Sequence, residues 1–117
     1  MKNLIKLGLM VTAIAPTGGC VSGNLYRINS LIGVASTDAA EGADVELQTL
    51  GEFELPKTSA QAWAVGNPIY AVAATNVLTN VPGTGNYLVG VATGIAANPS
   101  AVGRVRLNGA LGLPVTV

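Results

Sequence analysis

The 117-residue chain has no histidine and a single cysteine. That excludes Ser-His and Cys-His nucleophile pairs, a structural zinc set and an intramolecular disulfide. Cys20 therefore reads as a small buried hydrophobe. Charge is also scarce: 10% of residues are charged and the formal net charge is zero, against about a quarter charged in ordinary domains. A free monomer this neutral tends to associate. Six scattered cations without interleaved aromatics make a poor nucleic-acid footprint. Two carboxylate pairs, Asp44 with Glu46 and Glu52 with Glu54, have the i,i+2 spacing of one strand face, but aromatics are only 4% of the chain. Glycosidase-like chemistry needs a walled pocket that so few rings cannot build. No GxxxxGK[ST] occurs and no glycine cluster precedes a lysine, so no phosphate-binding loop is present. Asp38, Glu41 and Asp44 match no calcium-loop spacing and read as a solvated turn. Neither catalysis nor a cofactor is expected.

What is abundant is small and apolar. Half of the residues are hydrophobic, with one Trp and one Phe among them, which predicts a single domain over 1–117 with a thin core of small side chains. Such a core gains from association with copies or a partner. The clearest pattern is a degenerate repeat: residues 31–56, LIGVASTDAAEGADVELQTLGEFELP, return at 88–114 as LVGVATGIAANPSAVGRVRLNGALGLP. Each copy opens with an apolar pair, Gly, Val, Ala and a hydroxyl residue. Each then passes a small-residue turn into an alternating strand, Asp44-Val45-Glu46-Leu47 or Arg104-Val105-Arg106-Leu107. Alignment needs a slip of about one residue, placed in the turn. Two copies are too few for a solenoid.

Along the chain, Ile5, Leu7, Leu9, Val11 and Ala13 alternate with Lys6, Gly8, Met10 and Thr12, the period of a half-buried strand. Turn chemistry at 16–19 and 22–24 brackets a very short strand around Val21. Residues 25–35 predict one or two strands, with Gly33 at a bulge or a close backbone approach. Residues 45–55 predict strands divided at Gly51 and closed by Pro56. Further strands are expected over 69–72, 76–79, 87–93 and 101–107, with a loop at 82–86 and another broken by Asn98-Pro99. Asn108-Gly109 is a hairpin-turn dipeptide, and Pro114 marks 111–117 as an edge or arm. Many short strands at close spacing with no long helix predict an all-β barrel or sandwich with two similar β-units and extended termini.

Charge that cancels overall is still segregated. All six acids fall between Asp38 and Glu54, with basic residues on either side. Two solvated faces account for this as well as a pairing of the acidic strand (Asp44, Glu46) with the basic strand (Arg104, Arg106), within one subunit or across a boundary, which would fix partner choice. Trp63 is first a core plug and, failing that, the best single interface anchor. The N-terminus, MKNLIKLGLMVTAIAPTGGC, has features of a lipoprotein signal ending at Cys20. Against that, Lys6 interrupts the apolar run, Pro16 and Thr17 occupy positions where an apolar residue is needed, and the run is too short to span a bilayer. A surface domain anchored through Cys20 is the alternative reading.

Four segments in order resemble the small capsid cement (decoration) proteins of tailed phages: the opening MKN-x-I, TAIAPTGGCVSG, LIGVAST with its Glu-Gly-Ala turn and Phe53-Glu54-Leu55-Pro56-Lys57, and LVGVAT…RVRLNG. They cover nearly the whole chain. Cys20, where an aliphatic residue is usual, and the tail after Gly109 depart from the pattern. The resemblance implies a structural protein on the outer surface of the phage head, a trimer that clamps neighbouring subunits of the major capsid protein. It implies no nucleic-acid or membrane partner, and it places residues 1–19 in the mature domain. Residues 1–8 and 109–117 are expected to be arms that reach across subunit boundaries.

Overall fold

The computed structural model describes residues 9–109. Among them there is no helix, and nine strands follow one another: β1 (Met10–Ile14), β2 (Leu25–Ile28), β3 (Leu31–Ala35), β4 (Asp44–Gln48), β5 (Glu52–Pro56), β6 (Pro68–Ala71), β7 (Leu78–Thr79), β8 (Tyr87–Ala92) and β9 (Val102–Leu107). They form a four-stranded sheet in the order β1-β4-β3-β2 and a five-stranded sheet in the order β5-β9-β8-β6-β7. Every pairing within the sheets is antiparallel. The fold is all-β, as expected, and the choice left open by the sequence resolves to two sheets rather than a closed barrel. The edges of the second sheet meet at one parallel bridge, Lys57 with Leu78.

Both sheets trace the same path. In the first, the chain crosses from β1 to β2 at the far edge and returns through β3 to β4, which lies beside β1. In the second, it crosses from β5 to β6 and returns through β8 to β9 beside β5, with β7 added outside β6. Each is a Greek key. The correspondence reaches single hydrogen bonds. Gly23 N donates to Ala35 O at 2.8 Å, and Gly66 N to Ala92 O at 2.8 Å. Ala35 N donates to Asn24 O at 3.0 Å, and Ala92 N to Asn67 O at 2.9 Å. Cys20 bridges Ala39 as Trp63 bridges Ala96. Thr49 N donates to Leu9 O at 2.9 Å, and Leu107 N to Gly51 O at 3.1 Å. Residues 9–49 and 51–107 are thus two structural copies.

The repeat visible in the sequence is one part of this duplication. Its first copy straddles the boundary between the halves, because β5 belongs to the second sheet; the matching residues 110–114 lie outside the described residues. The loops after β3 and β8 do differ by one residue, 36–43 against 93–101. The charged strands match as that one-residue slip requires: Ser36 N donates to Glu46 O at 3.0 Å and Thr93 N to Arg104 O at 3.1 Å, so Glu46 is the counterpart of Arg104.

Gly33 and Gly90 hold equivalent places where the returning strand comes close. A Cβ on Gly33 would lie 2.8 Å from Leu47 Cβ and 3.0 Å from Gln48 O, and one on Gly90 would lie 1.9 Å from Arg106 O. Both glycines are therefore demanded by close approach. Beside Gly90 the register of β6 and β8 shifts, pairing Ile69 with Gly90 but Tyr70 with Leu88. The extra residue, Val89, makes a bulge that turns both Val89 and Gly90 inward.

The main core consists of Leu55, Trp63, Ile69, Leu78, Tyr87, Val89, Val105, Leu107 and small neighbours from the second half, joined by Leu25, Ile32 and Val34 from the first. A smaller core, Ala15, Cys20, Ala35, Val45 and Leu47, is built wholly from the first half. Alternation along β2 and β3 explains both: Leu25, Ile32 and Val34 point across to the second sheet, while Tyr26, Ile28, Leu31 and Ala35 serve the first half's own core.

Candidate interaction surface

The charged strands do not meet within the subunit. β4 and β9 hold equivalent places in separate sheets, so Asp44 and Glu46 lie beside β1 and β3, whereas Arg104 faces Glu54 and Arg106 faces Glu52 on β5. The intramolecular form of the pairing is corrected accordingly: the acidic partner of the basic strand is β5. Asp44, Arg104 and Arg106 are exposed and Glu46 is half-buried, so these charges face outward from two different sheets.

Trp63 is 2% exposed and belongs to the main core. Its indole N–H donates to Gln61 Oε1 at 3.3 Å. The ring packs directly against Gly103, where a Cβ would come within 2.2 Å of Trp63 Cζ3. In the first half Cys20 takes the place of Trp63, and Val45 that of Gly103. The chain's lone Cys and lone Trp are the same position in two copies, each with a partner of compensating size. Cys20 is buried, and desolvation raises its thiol pKa. Lipidation at Cys20 would require removal of β1, which pairs along its whole length with β4. Among the described residues, no helix is long and apolar enough to cross a membrane.

The buried Lys57, 4% exposed, needs no carboxylate: its ammonium donates to Thr58 O at 2.8 Å and reaches Ser59 O and Ser100 O at 3.5 and 3.4 Å. It also lies 5.7 Å from the centre of the Trp63 ring. Between the sheets, the Arg27 guanidinium lies 5.2 Å from the centre of the Tyr87 ring. The Tyr87 hydroxyl donates to Asn76 Oδ1. Burial pushes the Tyr87 pKa up to about 12, with the Arg27 charge opposing.

Two acids serve as loop staples. Asp38 Oδ1 accepts from Ser22 N at 2.8 Å and Glu41 Oε1 from Gly18 N at 3.1 Å. Among the described residues, no group of three or more acids or cysteines is placed to hold a metal ion. Two shallow clefts are also visible, one where the halves join, lined by Asn24, Leu55 and Asn76 among others, and one beside Ile95, Arg104 and Glu54. The first contains no carboxylate and the second contains one.

Apart from the added β7, the halves differ in surface chemistry at the tip formed by the loops after the Cys20 and Trp63 bridges. In the first half Ser22 and Asp38 face each other and are tied by the Ser22 N to Asp38 bond, and Ser22 Oγ donates to Ser36 O at 3.3 Å. At the equivalent places the second half carries Val65 and Ile95, which are 65% and 85% exposed. In the same loop as Ile95, Thr93 Oγ1 is buried without a hydrogen-bond partner, whereas its counterpart Ser36 Oγ donates to Glu46 O. Sequence reasoning passed over Val65 and Ile95. Isolated apolar residues in loops carry no signal until a copy of the same loop shows polar residues in their place.

Two copies of a Greek-key sheet, their charges turned outward and their apolar tip exposed, define a β-structural protein suited to surface contact. The family model for phage cement proteins matches residues 5–107, and the chain belongs to that family. No curated protein and no solved structure matches it. Membership gives the chain a structural, capsid-associated role in a phage.

Proposed function

We propose that this chain binds the outer face of the assembled phage head as a trimer and holds neighbouring major-capsid subunits together, with the second-half tip of Val65 and Ile95 as a principal contact. The observation that carries this reading is the replacement of a hydrogen-bonded Ser22 and Asp38 pair by two exposed aliphatic side chains at the equivalent tip. Exposed apolar residues that the fold does not need point to a partner. Symmetry multiplies modest contacts of this kind into firm attachment, so no catalytic chemistry is required. Asp44, Glu46, Arg104 and Arg106 enter as surface charges that fix which subunits meet, and residues 1–8 and 109–117 as arms that add contacts.

Sedimentation of purified protein with undecorated, expanded heads tests the proposal. Wild-type protein should pellet saturably at a fixed ratio to the major capsid protein. Val65→Asp with Ile95→Asp should weaken binding at least ~10-fold, the effect of losing about 1.4 kcal/mol, with an unchanged circular dichroism spectrum. Chains lacking 1–8 or 109–117 should fail to decorate in the same assay. Folded wild-type protein that stays in the supernatant would overturn the capsid reading; full binding by the tip variant would remove the tip from it.

A further inference from the structure

The first half shows how the outer face of a sheet of this kind is covered. That face carries Leu25, Ile32 and Val34, which are 0–5% exposed and share the main core with Phe53 and Leu55. The chain supplies those two residues just after it leaves the first sheet and turns at Gly51. Leu55 and Pro56 line one cleft with Leu25.

The second half repeats the outer face without a cover. The pairs Leu25 with Val34 and Arg27 with Ile32 correspond by register to Pro68 with Val91 and Tyr70 with Leu88. Leu88 is 40% and Val91 42% exposed, and Pro68 is exposed beside them. The sequence also repeats the segment that does the covering. Residues 109–114, GALGLP, return 51–56, GEFELP, with Leu111 for Phe53, Leu113 for Leu55 and Pro114 for Pro56. Gly51 and Gly109 both have a positive φ, +135° and +111°, so the turn that opens the segment recurs with its sequence. What the second copy loses is instructive. Glu52 and Glu54, which face Arg106 and Arg104 on β9, become Ala110 and Gly112, so the acids that match a basic neighbouring strand are gone and the apolar pair is kept.

We propose that residues 110–114 turn back at Gly109 and lie over the outer face of β6 and β8 of the same chain, with Leu111 and Leu113 covering Pro68, Leu88 and Val91. The reach is sufficient. Asn108 N donates to Val89 O at 2.9 Å, so the tail departs beside Leu88. Four residues from Gly109 to Leu113 span about 13 Å when extended, and β6 lies two strand spacings, about 10 Å, from β9. Residues 115–117 are left to extend as the arm. The contact lies within one chain and stands independently of capsid binding.

Two measurements on the full chain, without phage heads, decide it. In Pro68→Cys with Leu113→Cys, mild oxidation should form a disulfide inside one chain, seen as a single-chain mass on a non-reducing gel with loss of the new free thiols; Cys20 is buried and does not compete. The comparison pair, Ile14→Cys on the first sheet with Leu113→Cys, should link at least tenfold more slowly. In the second measurement, Leu111→Ser with Leu113→Ser should lower the urea midpoint by roughly 0.5 M. Leu88→Ser with Val91→Ser should do the same, and joining the two pairs should add little, because both remove one contact. Equal linking of the two cysteine pairs, an unchanged midpoint in the tail variant, or fully additive losses would overturn the proposal. A disulfide that joins two chains would overturn it in favour of a neighbouring copy's tail. Stripe variants that lose head binding, with the tail variant unchanged in stability, would overturn it in favour of the capsid.

Discussion

At the scale of single residues, the duplication works as an internal control on packing. Cys20 with Val45 and Trp63 with Gly103 fill the same place with a small-large and a large-small pair. The sequence indicated that both Cys20 and Trp63 prefer the interior, since thiols and lone indoles generally do. It could not show that they are equivalent, because no local pattern relates a cysteine to a tryptophan and their partners lie 25 and 40 residues further along the chain. The consequence is a coupling. Trp63→Cys should cost about 3–5 kcal/mol through the cavity it leaves. Gly103→Val should cost about 3 kcal/mol or more, because even a Cβ there meets the ring at 2.2 Å. The double variant recreates the first-half pair and should lose less than the sum by about 1–3 kcal/mol. Urea denaturation of the three variants measures the cycle, and strictly additive losses would show that the two positions do not share one space.

At the scale of elements, hairpins were the most legible feature. The Gly-Val-Ala motif at Gly33 and Gly90 marked β3 and β8, and alternation marked β4 and β9, because exposed charges on one face leave a period of two in the sequence. The path linking them was less legible. Gly23-Asn24 and Gly66-Asn67 open equivalent strands, but Gly33 follows ten residues after the first and Gly90 twenty-four after the second. The insertion that carries β7 hides the match. The alternation noted from Ile5 onward falls on β1 for its later part, and residues 1–8 lie outside the described residues. Close approach on the returning strand predicts a graded pair. Gly90→Ala drives a methyl into the Arg106 carbonyl and should lose about 3 kcal/mol or more. Gly33→Ala meets the Leu47 side chain and the Gln48 carbonyl less severely and should lose roughly 1–3 kcal/mol. Chemical denaturation midpoints rank the two, and a neutral Gly90→Ala would contradict the hairpin packing of the second half.

At the scale of the whole molecule, two similar halves could fold as independent units, yet the placement of the core argues for one. The second half completes its core with Leu25, Ile32 and Val34 from the first, so it cannot bury its own apolar face alone. This dependence was invisible in the sequence, because Val34 and Val91 sit in nearly identical motifs, GVAS and GVAT, and only the fold distinguishes the buried one from the exposed one. Trp63 is the chain's only tryptophan and lies in the second half, so its fluorescence reports that half. Val34→Ala, in the first half, removes two methyl groups from the shared core and should destabilise by about 1–3 kcal/mol. If the halves are coupled, Trp63 fluorescence and far-ultraviolet circular dichroism will shift to the same lower urea midpoint in a single transition. The control is Val91→Ala in a chain lacking 110–117, the same change at the equivalent exposed position, which should shift the midpoint by less than about 0.5 kcal/mol. Should Val34→Ala leave the Trp63 transition in place while the dichroism splits in two, the second half would be folding without the first, and the layer of Leu25, Ile32 and Val34 would be a contact between finished units rather than part of a common core.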